Sequence, residues 1–274
     1  MIKAIDVVKQ SEDALTSILG FAKYFLETLK FDRKNPQQLY SVCLYARLFE
    51  IACGCKALLE KNALVGIPIL LRSIFEAGID LTSLMKCQDY YKRMYASFLK
   101  EKLRLTKEVF SSESNPFFVD IISNQSPKKD ICDIQDKLDQ LIAENNGPIN
   151  IRDRAELAGK LDEYLSIYNM LCLNAHNNIS ALGECHLKKS ADDNYHVVAF
   201  KQTKAELMLY LYTICEILLL QTKALADFLG IKDIEIDNYS TQLQKLAILV
   251  NENQKEKKGD YPELCSIFFR TFKM

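Results

Sequence analysis

The segment Ile67-Pro-Ile-Leu-Leu-Arg-Ser-Ile-Phe-Glu-Ala-Gly-Ile-Asp-Leu81 sets Arg72, Glu76 and Asp80 at intervals of four in an otherwise apolar run. At about 100° per residue these three side chains fall within about 80° of one another on a helix, and Leu70, Leu71, Ile74, Phe75, Leu81 and Leu84 occupy the remaining arc. Charges on a helix buried almost all round cost several kcal/mol each unless they are paired and hydrogen-bonded. Two arrangements meet that requirement. Arg72 and Glu76 can pair within the helix at i,i+4, or the stripe can line a cavity and receive a polar group from another helix.

A second segment, Tyr168-Asn-Met-Leu-Cys-Leu-Asn-Ala-His-Asn-Asn-Ile-Ser-Ala-Leu182, offers such a group. On a continuous helix Asn169, His176 and Ser180 share one face, with Tyr164, Tyr168, Leu171, Ala175 and Ile179 on the apolar side. Asn177 and Asn178 are poor mid-helix residues that bring donors and acceptors beside His176. The chain has three histidines, His176, His186 and His196, all in this region. If Arg72 reaches His176 across the fold, the pair has the parts for phosphodiester chemistry: an imidazole to move protons and a guanidinium to stabilise developing charge. The catalytic candidates are therefore Arg72, Glu76 and His176. Asp80, Asn169, Asn177, Asn178 and His186 are candidates for a binding or structural polar core. No metal site or cofactor is expected, because there is no C-x-x-C pair, no Glu-x-x-His, no P-loop and no G-x-S-x-G.

The elements that position these residues follow from composition and period. The chain has 274 residues but only nine glycines and six prolines, too few for the turns of a sandwich, propeller or Rossmann fold of that length. Apolar residues recur at helical spacing over 2–29, 36–61, 66–86, 88–110 and 128–144, with a break rich in Ser, Asn and Pro at 111–127. A short helix kinked at Gly159 leads into a long one ending near Ala181. An irregular stretch at 183–202 carries a minor β-excursion near 195–200. Helix 203–229 is closed by Gly230, one more follows from Tyr239, and 261–272 is helical again. The expectation is an all-α fold, a single helical bundle of about seven to nine helices. Residues 1–235 form the bundle and 236–274 a C-terminal helical extension.

Thirty-five basic and thirty-six acidic residues leave a net charge of −1, so no global field holds nucleic acid. The dense basic run, Lys255, Lys257 and Lys258, reads as a solvated helix end. Nine unpatterned cysteines fit a reducing cytoplasm. The N-terminal residues carry too many charges for a signal peptide. No segment reaches the roughly 18 apolar residues of a membrane span; the strongest, Leu207–Leu220, is interrupted by Glu216. The expected protein is soluble and cytoplasmic. The apolar helix 203–229 and the aromatic stripe of 88–110 are the candidates for a homo-oligomer or partner-protein face.

L-L-R-S-I-F-E-A and Y-N-M-L-C-L-N-A-H-N-N-I-S-A-L resemble a family of uncharacterised, mostly bacterial proteins of unknown function, over roughly Leu39 to Leu229. The resemblance implies a helical protein and points to Arg72, Glu76, His176, Asn177 and Asn178 as its pattern-bearing residues. A looser similarity is to the HEPN helical bundles, many of them metal-independent ribonucleases of toxin and antiphage systems. Their arginine lies four to six intervening residues before the histidine, and here that window is Asn169-Met-Leu-Cys-Leu-Asn-Ala; the nearest upstream arginine is Arg154. Two functions are expected on this footing. One is an interaction or sensing component of a defence or toxin-type system with a buried polar core. The alternative is a HEPN-like endoribonuclease acting on RNA through His176 and Arg72.

Overall fold

The computed structural model describes residues 2–112, 115, 127–175, 178–190, 192, 194–198, 204–232 and 235–255. Among them the chain is all-α apart from one hairpin. Its helices are α1 (Ile2–Thr28), α2 (Pro36–Glu60), α3 (Gly66–Lys86), α4 (Tyr90–Ser111), α5 (Pro127–Ala143), α6 (Ile151–Ala158) and α7 (Leu161–Glu163). A π-helical turn, Tyr164–Tyr168, follows, then α8 (Asn169–Ala175), α9 (Ile179–His186), the strands β1 (Leu187–Lys189) and β2 (Tyr195–Val197), α10 (Lys204–Leu229) and α11 (Asp237–Lys255). The strands pair antiparallel, with Lys188 opposite His196. The helix expected at 261–272 lies outside the described residues.

Local chemistry accounts for the helix ends. Asn35 caps α2, its side chain accepting from the backbone N–H groups of Gln37 and Gln38, and Pro36 takes the first helical position. Gly159 and Gly230 sit in the left-handed region at φ 73° and 72°, closing α6 and α10. At Gly159 the Lys86 ammonium also donates to the Ala158 carbonyl at 2.7 Å, satisfying an end-of-helix acceptor. Gly159→Ala is expected to lower stability by about 1 kcal/mol, because a Cβ at positive φ crowds its own carbonyl. Urea unfolding at constant m-value reads this loss directly.

α10 runs through the main core and touches α1, α2, α3 and α11. Its residues from Leu207 to Leu219 are almost all buried, and Leu243, Leu246 and Val250 of α11 join the same cluster. Polar groups on α10 are spent on cross-links. The Thr222 and Tyr45 hydroxyls lie 2.5 Å apart, and Gln221 donates to the Gly78 carbonyl and to Thr82 on α3. Among the described residues, Glu206–Leu229 is the one helix long and apolar enough to cross a membrane, a length that the shorter stretch ending at Leu220 underestimates. Its most apolar window is 83% buried within the chain, as in a core helix. A smaller core, Ala96, Leu99, Leu103, Ile134 and Leu138, joins α4 to α5.

One expected element differs. The long helix through Ala181 is interrupted: α8 ends at Ala175, Asn178 is not helical, and its carbonyl accepts from the Leu182 N–H as α9 begins. Asparagine side chains compete for backbone hydrogen bonds and favour such breaks over helix interiors. Asn169 and Ser180 therefore lie on separate helices, α8 and α9.

Candidate functional site

The α3 stripe meets three other elements, and each of its charges finds a partner. Arg72 Nη2 lies 3.0 Å from Glu76 Oε1 and donates to the Tyr168 hydroxyl at 3.0 Å. The Tyr168 O–H in turn donates to Glu76 Oε1 at 2.7 Å, closing a triangle. The Arg72 guanidinium carbon also stands 5.3 Å from the centre of the Tyr168 ring, in cation–π range. Burial raises the Tyr168 hydroxyl pKa, against the Arg72 hydrogen bond, so that it stays protonated and able to donate. The hydrogen bond from Arg72 to Tyr168 raises the arginine in its turn.

The second knot lies one turn further along α3. Arg154 Nη1, from α6, donates to both oxygens of Asp80 at 3.0 and 2.8 Å, and the Tyr90 O–H, at the start of α4, donates to Asp80 Oδ1 at 2.6 Å. The Asp80 side chain is 14% exposed. Burial opposes the charge on Arg154, but Asp80 outweighs it and the guanidinium is held more firmly protonated. Burial, then Asp80, pushes Tyr90 up, so it too remains a donor. Ser83 adds a hydrogen bond to the Arg154 carbonyl.

The π-helical turn places Tyr168 in the first knot. An i→i+5 turn holds one more residue than an α-turn and shifts the register of the helix beyond it, and such turns recur at functional sites. Here the rings of Tyr164 and Tyr168 stack with centroids 5.1 Å apart, and Tyr168 lies against Phe75 of α3 at 6.0 Å. Just before the turn, buried Glu163 pairs with Lys160 at 2.7 Å. Glu216 of α10, 2% exposed, feels both of those charges. Its carboxyl is pushed up to about 7, first by burial, with Glu163 adding to the rise and Tyr212 and Lys160 opposing it. Tyr212 donates to Glu216 Oε1 at 2.9 Å, and Oε2 has no hydrogen-bond partner among the described residues.

The sequence-derived candidates divide accordingly. Arg72, Glu76 and Asp80 lie together on α3, in two knots. Asn169 is exposed and donates to the Leu165 carbonyl of the preceding turn. His186 Nδ1 lies 3.2 Å from the Val198 carbonyl and ties the hairpin to α9. Asn178 stands at the start of α9. His176 and Asn177 lie outside the described residues.

Residues 38–195 match a family of unknown function, DUF5677. The chain belongs to that family. Comparison with curated proteins and with solved structures returns no match. The family segment opens in the first turn of α2 and closes on the first residue of β2, short of the Leu229 to which the sequence resemblance extended. It contains both knots complete, with Arg72, Glu76, Asp80, Tyr90, Arg154 and Tyr168, whereas Tyr212 and Glu216 stand beyond it. The DUF5677 segment thus carries the polar stripe with all its partners, and α1, α10 and α11 pack the apolar core around it.

Sequence reasoning passed over four of these side chains. Tyr168 counts as apolar by period, although its hydroxyl must find a partner once buried. Arg154 is conspicuous only as the arginine missing from the HEPN window. Tyr90 opens a helix among charged residues. Glu216 carried the clearest signal, an acid in the middle of a strongly apolar helix.

Proposed function

We propose that this protein is a helical interaction or sensing component, and that its polar stripe is an internal lock holding the π-helical turn and α6 onto α3. One observation carries the reading: both acids and the arginine of the stripe are engaged by side chains of the same chain. An electrostatic catalyst needs a cation aimed at the position where negative charge develops, and the Arg72 guanidinium is held by Glu76 and Tyr168 instead. The defence or toxin-type setting rests on the HEPN-like resemblance alone. An endoribonuclease using His176 and Arg72 is the competing reading, and it requires Arg72 to leave Glu76 in the presence of substrate.

Two measurements test the lock. Tyr168→Phe removes the bridging hydroxyl and is expected to lower stability by about 1.5 to 3 kcal/mol, the range for a hydrogen bond to charged groups. Purified protein incubated with total RNA and a tRNA pool, with and without chelator, is expected to cleave no more than its His176→Ala variant. Cleavage that disappears in His176→Ala, together with an unchanged unfolding midpoint for Tyr168→Phe, would replace the lock with the ribonuclease.

A further inference from the structure

α4 has two adjoining apolar faces, and among the described residues one is buried and the other largely exposed. Ala96, Leu99 and Leu103 are buried against α5. Tyr91, Tyr95, Phe98, Lys102, Leu105 and Val109 run along an adjoining face at intervals of four, three, four, three and four, the heptad spacing of a coiled-coil seam. At about 100° per residue all six fall within an arc of about 80°. Tyr95 is 46% and Phe98 55% exposed, and their rings stack on each other with centroids 6.1 Å apart. Tyr40 of α2, also exposed, stacks on Tyr91 and lengthens the apolar surface. Three depressions of about 370, 320 and 410 Å³ follow one another along this face; Tyr95 lines the first two, and Phe98 and Lys102 line the last two.

We propose that this seam of α4 is the interface on which a second copy of the chain docks, antiparallel, about a two-fold axis between Phe98 and Lys102. The heptad period calls for a helix running along α4 as the occupant. The single charge in the seam sets its direction. A parallel pair would stack Lys102 on Lys102 of the second copy in a half-dry layer. An antiparallel pair centred near residue 100 faces Lys102 with Phe98 of the second copy, Tyr95 with Leu105 and Tyr91 with Val109. It also brings Lys102 within reach of Glu101 of the second copy, and Arg104 already holds that carboxylate in place on its own helix. A face carrying a cation and an anion side by side at its centre is self-complementary, as an isologous two-fold contact requires. The flanks agree with a closed pair more than with a nucleic-acid strand. The middle depression sets Lys102 and Lys137 against Asp130 and Asp133, so no net positive track is present for phosphates. The seam rests on the reading of the chain as an interaction protein and gives that protein one of its surfaces.

Sedimentation of the full chain from about 1 to about 200 µM tests it. A monomer–dimer equilibrium is expected, with Phe98→Asp weakening it roughly tenfold or more, as for an aromatic at the centre of an interface. Tyr95→Ser gives the same loss should Phe98→Asp fold poorly by circular dichroism. The charge pairing at the centre of the seam has its own readout. Lys102→Glu alone and Glu101→Lys alone should each dimerise more weakly than the parent, whereas an equimolar mixture of the two should recover the dimer, because every cross-copy pair is then Lys with Glu. A parent chain monomeric throughout would overturn the proposal. So would a dimer indifferent to Phe98→Asp and Tyr95→Ser, or a mixture no tighter than its components. Dimerisation that appears only after Phe117→Ser and Phe118→Ser would assign the seam to the chain's own 113–126 segment, which also overturns it. Ribonuclease activity lost in His176→Ala would sink the proposed function and leave these measurements untouched.

Discussion

Arg154→Ala is expected to destabilise the protein by about 3 kcal/mol, the low end for breaking a buried ion pair from one side. Asp80 is mostly buried and takes three hydrogen bonds, two from Arg154 and one from Tyr90. Without the guanidinium, a carboxylate 14% exposed keeps only a phenol as donor. The loss also loosens α6, which then keeps only its backbone-carbonyl ties to Ser83 and Lys86 of α3. Asp80→Asn in the Arg154→Ala background should recover part of the loss, since the amide carries no charge to be left unpaired. Urea midpoints of the two single variants and the double variant form the cycle. A double variant whose loss equals the sum of the singles would show that the two side chains do not act as a pair.

Glu216→Gln is expected to stabilise the protein at pH 8 and to change little at pH 5. The carboxyl has an ordinary value of 4.5 and is pushed up to about 7 in the fold, chiefly by burial. Between those values the folded chain holds a proton that the unfolded chain has released. Stability must then fall as pH rises across that interval. The contribution of protonated Glu216 is complete below about pH 4.5 and lost above about pH 7, a swing on the order of 3 kcal/mol. Glutamine keeps an acceptor for the Tyr212 hydroxyl and has no proton to lose. Melting temperatures of parent and variant, measured at unit pH steps from 4 to 9, should therefore diverge above neutrality. A constant difference at every pH would mean that the carboxyl does not titrate in this range. The neighbouring charges are Lys160 and Glu163 at the π-helical turn, so Glu163→Gln should move the divergence to lower pH by removing the repulsion that helps raise Glu216.

Much of the fold is legible in the sequence because helices are local objects. Asn35-Pro36 opens α2, Gly159 closes α6 and Gly230 closes α10, and each signal lies within a turn of the boundary it sets. The β-excursion expected near 195–200 appears as Tyr195–Val197 paired with Leu187–Lys189. The break at Asn178 was also written locally, in a pair of asparagines that a helix interior tolerates poorly, but the apolar period running through them masks it. α4 shows the limit of period as a guide. Its stripe mixes Leu99 and Leu103, which are buried, with Tyr95 and Phe98, which are exposed. Adjoining apolar faces of one helix look alike until the neighbouring helix chooses between them.

By itself the sequence determined that the chain is helical, where most helices begin and end, and that Arg72, Glu76 and Asp80 share one face of α3. Those properties depend on residues within a few positions of each other, through 3.6-residue geometry and the chemistry of caps. Only the tertiary structure decided which groups answer the stripe. Tyr168 stands 96 residues from Arg72 and Arg154 stands 74 from Asp80, and neither distance leaves a trace in local spacing. The π-helical turn that presents Tyr168, and the burial that raises Glu216, likewise arise from packing between helices remote in the chain. The physical reason is common to all of them. A charge taken out of water must be met by whatever donor the fold brings to it, and that donor is selected by three-dimensional proximity.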